Sequence, residues 1–169
     1  MELVKDEDVI AIDIGTTALE FAKALVGKRR VTVITNSMKI AMVLSEDSNI
    51  RVLMVGGQVR SGEFSVSGHM ADSDMDRFVT DKYFLGVGGL SLSKGITDYN
   101  LEESNLRRVV IENTQKVIAL ADYSKIGAVA MNKVCRLDQI DILVTDSNVD
   151  SFVVENLRKS DIEVIQVKV

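Results

Sequence analysis

The sequence predicts an α/β fold, a mostly parallel sheet flanked by helices. Two observations carry this. Short β-branched runs recur along the chain, each almost continuously apolar and each ending in a small or polar cluster. That is the pattern of a strand covered on both faces. The stretches between them place apolar residues at three- and four-residue steps, the period of an amphipathic helix. Strand and helix patterns that alternate in this way predict crossover units and a parallel sheet.

The elements follow in order. A run at 9–12 ends at Asp13, and a helical pattern at 16–27 places Leu19, Phe21, Ala22 and Leu25, with Gly27 as its stop. A run at 31–34 ends in Thr35-Asn36-Ser37, before a helical pattern at 37–45 with Met38, Ala41, Met42 and Leu44. Met38 and Met42 fall on one face and read as core filler. The run at 50–55 ends in Gly56-Gly57. Residues 56–80 break the rhythm and read as a long loop plus a short helix near 69–77; loops of that length in a compact domain are often functional. The run at 83–85 ends in Gly86-Val87-Gly88-Gly89, and the helix at 101–112 places Leu106, Val109 and Val110 with its charges opposite. Runs at 117–121 and 142–145 end at Asp122 and Asp146, and the last helical pattern, at 149–158, carries Val149, Phe152, Val153 and Leu157.

Composition bounds the function. The chain has 169 residues, long enough for one domain with its own core, and no repeat or linker divides it beyond a possible edge at 1–8. Apolar residues make up 46% and charged residues 27%, which excludes a disordered chain. The net charge of −5 makes the domain a poor binder of DNA by itself, because phosphate neutralisation dominates that affinity. A single cysteine excludes an internal disulfide and fits a reducing cytoplasm. No apolar run is long enough to span a membrane, and the acidic start is unlike a signal peptide.

Ligands of open α/β sheets bind outside the C-terminal ends of the strands, so the clusters above are the candidate sites. Asp13-Ile14-Gly15-Thr16-Thr17 opens a helix. Unpaired first-turn N–H groups and the helix dipole favour an anion such as phosphate there; Thr16 as a plain cap is the simpler reading. The segment is not a Walker loop, since no lysine follows at the required spacing. Thr35-Asn36-Ser37 is a second such switch, with Asn36 or Ser37 as an ordinary cap. Gly88 and Gly89 allow a close approach of backbone to a ligand. Asn100-x-x-Glu103 has the form of a capping box, and Glu103 could equally accept sugar hydroxyls. Lys125, just past a strand end, offers a compact positive charge or is a solvated surface lysine.

Sharper alternatives fail. Asp72-x-Asp74-x-Asp76 starts like a calcium loop, but Arg77 and Tyr83 stand where glycine and glutamate are required; it reads as an exposed acidic helix face. One His and one Cys exclude a metal site rich in those ligands. His69 has no nucleophile pattern around it. Cys135 reads as a packed thiol.

These clusters together resemble the C-terminal effector domain of DeoR-family bacterial transcriptional regulators. The likeness runs through Asp13-x-Gly15-Thr16-Thr17, Thr35-Asn36-Ser37, Gly56-Gly57 with Arg60 and Gly68, and Phe84-Leu85-Gly86. It continues with Gly95-x-Thr97-Asp98-x-Asn100 and Glu103, Leu120-Ala121-Asp122-x-Ser124-Lys125, and Thr145-Asp146. It covers most of the chain, roughly 9–146. The resemblance implies a fold like the sugar-phosphate isomerases of the ribose-phosphate isomerase and glucosamine-phosphate deaminase type. It implies a cytoplasmic sensor of a phosphorylated sugar or polyol, in a repressor of carbohydrate catabolism that assembles as a homodimer or homotetramer. No cofactor and no membrane are implied. Residues 9–169 would form the sensor and 1–8 a residual linker; the family's N-terminal winged helix-turn-helix has no counterpart before Val9, so DNA contact would come only through that missing module. Carried over by position, Gly15, Thr16 and Thr17 would hold the phosphate with Lys125 as counter-charge. Asp13, Asn36, Asp98 and Glu103 would read hydroxyls, and Gly88 and Gly89 would line the pocket. The alternatives are an isomerase or deaminase on the same scaffold and a pure oligomerisation domain. Against an enzyme, the segment 86–89 lacks the acidic pair that isomerase relatives carry.

Overall fold

The computed structural model describes residues 3–27 and 30–168. β1 (Val9–Ile12) leads into α1 (Thr16–Lys23), β2 (Val31–Thr35), α2 (Met38–Ser45) and β3 (Ile50–Met54). A hairpin of β4 (Gln58–Arg60) and β5 (Ser65–Ser67) follows, then α3 (His69–Met75). β6 (Lys82–Gly86), β7 (Gly89–Ser91), β8 (Gly95–Asp98) and α4 (Leu101–Glu112) come next. The chain closes with β9 (Val117–Leu120), β10 (Asn132–Cys135), β11 (Ile142–Asp146), α5 (Ser151–Lys159) and β12 (Glu163–Val167).

Seven strands form one sheet in the order β12-β11-β9-β6-β1-β2-β3, and every neighbouring pair is parallel. The predicted fold class is therefore the observed one. Alternation along β1 shows why the strands read as continuous apolar runs: Ile10 and Ile12 pack on the face covered by α1 and α2, while Ala11 packs on the face covered by α3, α4 and α5. Phe21 of α1 stacks on Phe84 of β6 with ring centroids 4.0 Å apart, fixing the first helix over the middle of the sheet. Two small antiparallel sheets, β10-β8-β7 and β4-β5, sit outside this frame. Among the described residues no helix is long and apolar enough to cross a membrane.

Several expectations change in detail. The first helix stops at Lys23, and the chain turns through Gly27, which has φ +88° and donates its N–H to Asp47. Within residues 56–80 the short helix forms where expected, at His69–Met75, but the stretch before it is the β4–β5 hairpin and not a long loop. Met42 is 69% exposed and is not core filler, because Ile40 and Leu44 take the buried stripe of α2 and Met42 lies between them on the outer side. The acidic run of α3 is not wholly a solvated face: Asp74 accepts the Gly56 N–H at 2.9 Å, and one Asp72 oxygen is buried without a partner. The charges of α4 are not all opposite its core either, since Glu103 and Arg107 are buried. Met1 and Glu2 of the expected linker lie outside the described residues. Within it, Val4 packs into the core on the face covered by α1 and α2, and Asp8 pairs with Lys82.

Candidate functional site

β1 is where the chain changes direction across the sheet. It runs outward from β1 to β2 and β3, then returns to β6 on the other side of β1. The loops leaving two such strands diverge and open a crevice at their C-terminal ends. Here that crevice is a cavity of about 280 Å³. Its walls come from the β1–α1 turn, the segment after β6, the end of β8, the first turns of α4, the turn after β9, and the β4–β5 hairpin.

On one side is the N-terminus of α1. Gly15 takes the N-cap position with φ +117°, and no side chain caps the helix. Thr16 is thus the first helical residue, not the cap. α2, α4 and α5 by contrast are capped by Ser37, Asn100 and Asp150. Gly15, Thr16 and Thr17 are exposed on the cavity wall, so first-turn N–H groups and two hydroxyls face the space with the positive end of the helix dipole behind them. Lys125 lines the same cavity from the 3₁₀ turn Tyr123–Lys125. Asp122 holds that turn by accepting the Ser124 N–H at 2.8 Å. Lys125 has no ion-pair partner among the described residues.

The rest of the cavity is built from buried charge. Arg107 donates Nε to Asp13 Oδ2 at 2.6 Å, and its Nη1 lies 2.7 Å from Asp98 Oδ2 in an ion pair outside hydrogen-bond alignment. Burial works against the guanidinium charge, but the two carboxylates outweigh it and raise its pKa. One cation between two carboxylates leaves a buried negative charge. Accordingly, burial pushes the Asp13 carboxyl above its ordinary value against the pull of Arg107. Glu103 accepts from Arg60 Nη1 at 2.7 Å and from Ser65 Oγ at 3.0 Å, and this bond to Glu103 raises the Arg60 pKa. The hairpin is thereby fastened to α4.

The structure sorts the expected residues. Gly15, Thr16, Thr17, Gly88, Asp98, Glu103 and Lys125 all line the cavity. Asp13, Asn36 and Gly89 do not. Asp13 lies beneath it, bonded to Arg107 and the Gly86 N–H. The Asn36 side-chain amide donates to Val66 O, and the Asn36 backbone carbonyl accepts the Val66 N–H, so the residue pins β5. A Cβ on Gly89 would lie 2.6 Å from Ala128 O, so its glycine serves backbone packing. Gly88 is similar: a Cβ there would lie 2.6 Å from Asp98 Oδ2. Asn100 accepts the Glu103 N–H at 2.9 Å, but the Glu103 side chain turns to Arg60 and Ser65, so only half of the capping box forms. Sequence reasoning missed Arg107, Glu63 and Tyr99 as lining residues. The spacing of Arg107 from Glu103, one helical turn on the same face, was the available signal. Among the described residues no cluster of His, Cys, Asp and Glu is arranged to hold a metal ion.

Fold and cleft together define an α/β domain with a cavity at the switch point of its parallel sheet. The chain belongs to the DeoR C-terminal sensor domain family, which it matches over residues 1–147. It is 33% identical over 148 residues to the HTH-type transcriptional regulator GolR of Listeria innocua, covering 88% of this chain and 58% of GolR. It is 35% identical over 144 residues to the HTH-type transcriptional repressor GlcR of Bacillus subtilis, covering 85% of this chain and 55% of GlcR. The chain thus spans little more than half the length of these relatives. In fold it is similar to ribose 5-phosphate isomerase A of Methanocaldococcus jannaschii, with a TM-score of 0.52 and 21% identity over 74% of this chain and 49% of the isomerase.

Proposed function

We infer that this chain is the effector-sensing part of a DeoR-type transcriptional repressor and binds a phosphorylated sugar or polyol in the β1/β6 cavity. The observation that carries this is the uncapped N-terminus of α1 together with Lys125, which has no ion-pair partner among the described residues, on the walls of one cavity. An anionic group there meets N–H donors, two hydroxyls and a compact cation, while Asp98 and Glu103, each ionised against an arginine, keep further lone pairs that can accept ligand hydroxyls. The names of GolR and GlcR support a regulatory role. An enzymatic role fits less well. Isomerisation needs a carboxylate free to take a proton, and both Asp98 and Glu103 are committed to arginines. Effector binding acts through differential affinity for two conformations of the full regulator. DNA contact belongs to a separate N-terminal module, and the regulator is a cytoplasmic homodimer or homotetramer.

A thermal-shift screen of phosphorylated sugars and polyols, each paired with its unphosphorylated form, tests this. Ligand at about 100 times its Kd stabilises by about 2.7 kcal/mol, on the order of 5–10 °C for a domain of this size. A shift with a phosphorylated compound and none with its partner supports the reading. No shift with any compound overturns it, and turnover of the compound that binds replaces the sensor with an enzyme.

A further inference from the structure

A second cavity, of about 520 Å³, shares no lining residue with the one described above. It lies between the β7–β8 turn, the middle of α4, and the chain from Lys133 to Gln139. Its lining holds four basic side chains, Lys94, Arg108, Lys133 and Arg136, against one carboxylate, Asp138. Such a concentration does not follow from composition, because the chain as a whole carries a net charge of −5.

The charges divide into one neutralised pair and three that are uncompensated. Arg136 engages Asp138 through Nε at 3.0 Å and Nη2 at 2.9 Å, so those two cancel. Arg108 is held by neutral acceptors only. Its Nε and Nη2 donate to the Lys133 carbonyl at 3.1 and 2.5 Å, and its Nη1 donates to Asn105 Oδ1 at 2.6 Å. The guanidinium is fixed in place yet keeps its full charge. Lys94 and Lys133 have no ion-pair partner among the described residues. Like charges gathered around one concavity repel, and a bound anion relieves that repulsion. Val134, Cys135 and Leu137 contribute apolar side chains to the same lining. Burial raises the Cys135 thiol to about 12, so no thiolate competes with an anion.

We propose that this basic cavity is a second binding site, for a small anion carrying two or more negative charges, of the bis- or oligophosphate class. Arg108 is the preorganised anchor, and Lys94 and Lys133 close on the ligand as mobile point charges. The site bears on the first cavity through shared elements. Arg108 follows Arg107 on α4, and Lys133 and Asn132 pair with Thr97 and Asp98 on β8.

The test is calorimetric titration of inorganic pyrophosphate into the wild-type chain, a Lys94→Ala/Lys133→Ala variant and Lys125→Ala, at low and moderate salt. Both lysines of the double variant are exposed, and its thermal midpoint serves as the folding control. The double variant should bind pyrophosphate about tenfold more weakly or worse, binding should weaken with added salt, and Lys125→Ala should retain this binding. Pyrophosphate bound equally by the double variant, or lost only in Lys125→Ala, overturns the proposal and leaves the first cavity untouched. A short DNA duplex that binds through these lysines where pyrophosphate does not also overturns it, in favour of a nucleic-acid contact.

Discussion

Arg107 is the residue on which the floor of the first cavity depends. Its guanidinium stands 2.6 Å from Asp13 and 2.7 Å from Asp98, with all three residues buried. Arg107→Met keeps a side chain of similar reach and removes the charge, so Asp13 loses its counter-ion. Breaking a buried pair by deleting one partner costs about 3–5 kcal/mol. Each kcal/mol is about 2–4 °C in Tm for a domain of this size. The variant should therefore melt about 6–20 °C lower at neutral pH. The deficit also carries a pH signature. Burial already holds the Asp13 pKa above its ordinary 3.8, and without Arg107 it rises further. The folded variant then binds this proton more tightly than the unfolded chain does. That contribution to stability is fully present below the ordinary carboxyl value and is lost as pH rises through the raised one. The gap between wild type and variant should thus narrow as pH falls toward the carboxyl range. Urea unfolding followed by circular dichroism at neutral pH and at about pH 5 measures both effects. A deficit under about 1 kcal/mol at neutral pH, or one that does not narrow on acidification, would refute the reasoning.

Three further outcomes follow from the same geometry. Gly88→Ala places a Cβ within 2.6 Å of Asp98 Oδ2; it should cost about 1–3 kcal/mol and weaken effector binding, read by unfolding and titration together. Asn100→Ala removes the acceptor of the Glu103 N–H and should cost about 1 kcal/mol, visible as a lower denaturant midpoint with an unchanged slope. Cys135 is buried and its thiol is raised to about 12, so a thiol reagent at mildly alkaline pH should label it slowly in the native protein and fully in denaturant.

Six strands of the large sheet were legible because each is a short, mostly apolar run with its own terminal cluster, and in all but the edge strand β3 burial on both faces makes that pattern strong. β12 was not, since its sequence, EVIQV, mixes charged and polar residues with apolar ones at an edge that is covered less. β4, β5, β7, β8 and β10 have only three or four residues each, and polar residues or glycine interrupt every one (QVR, SVS, GLS, GITD, NKVC), so none shows an apolar run. Of the site, the clusters at strand ends pointed to Thr16, Thr17, Asp98, Glu103 and Lys125, which all line one cavity. Arg107 was hidden because a charged residue in an amphipathic pattern reads as solvated. Only the fold brings it to Asp13, 94 residues away in the chain. Asn36 misled for the opposite reason: a polar residue at a strand end has the look of a ligand contact, and here it satisfies the backbone of β5.

The most direct measurement is the affinity of the wild-type chain and of Lys125→Ala for the phosphorylated compound found in the screen and for its unphosphorylated form. A hydrogen bond to a charged group is worth about 1.5–3 kcal/mol, so Lys125→Ala should bind the phosphorylated compound about 10- to 100-fold more weakly while keeping the wild-type Tm. Wild type should show no comparable affinity for the unphosphorylated form. Equal binding of the phosphorylated compound by the two proteins would contradict the assignment of its phosphate to α1 and Lys125.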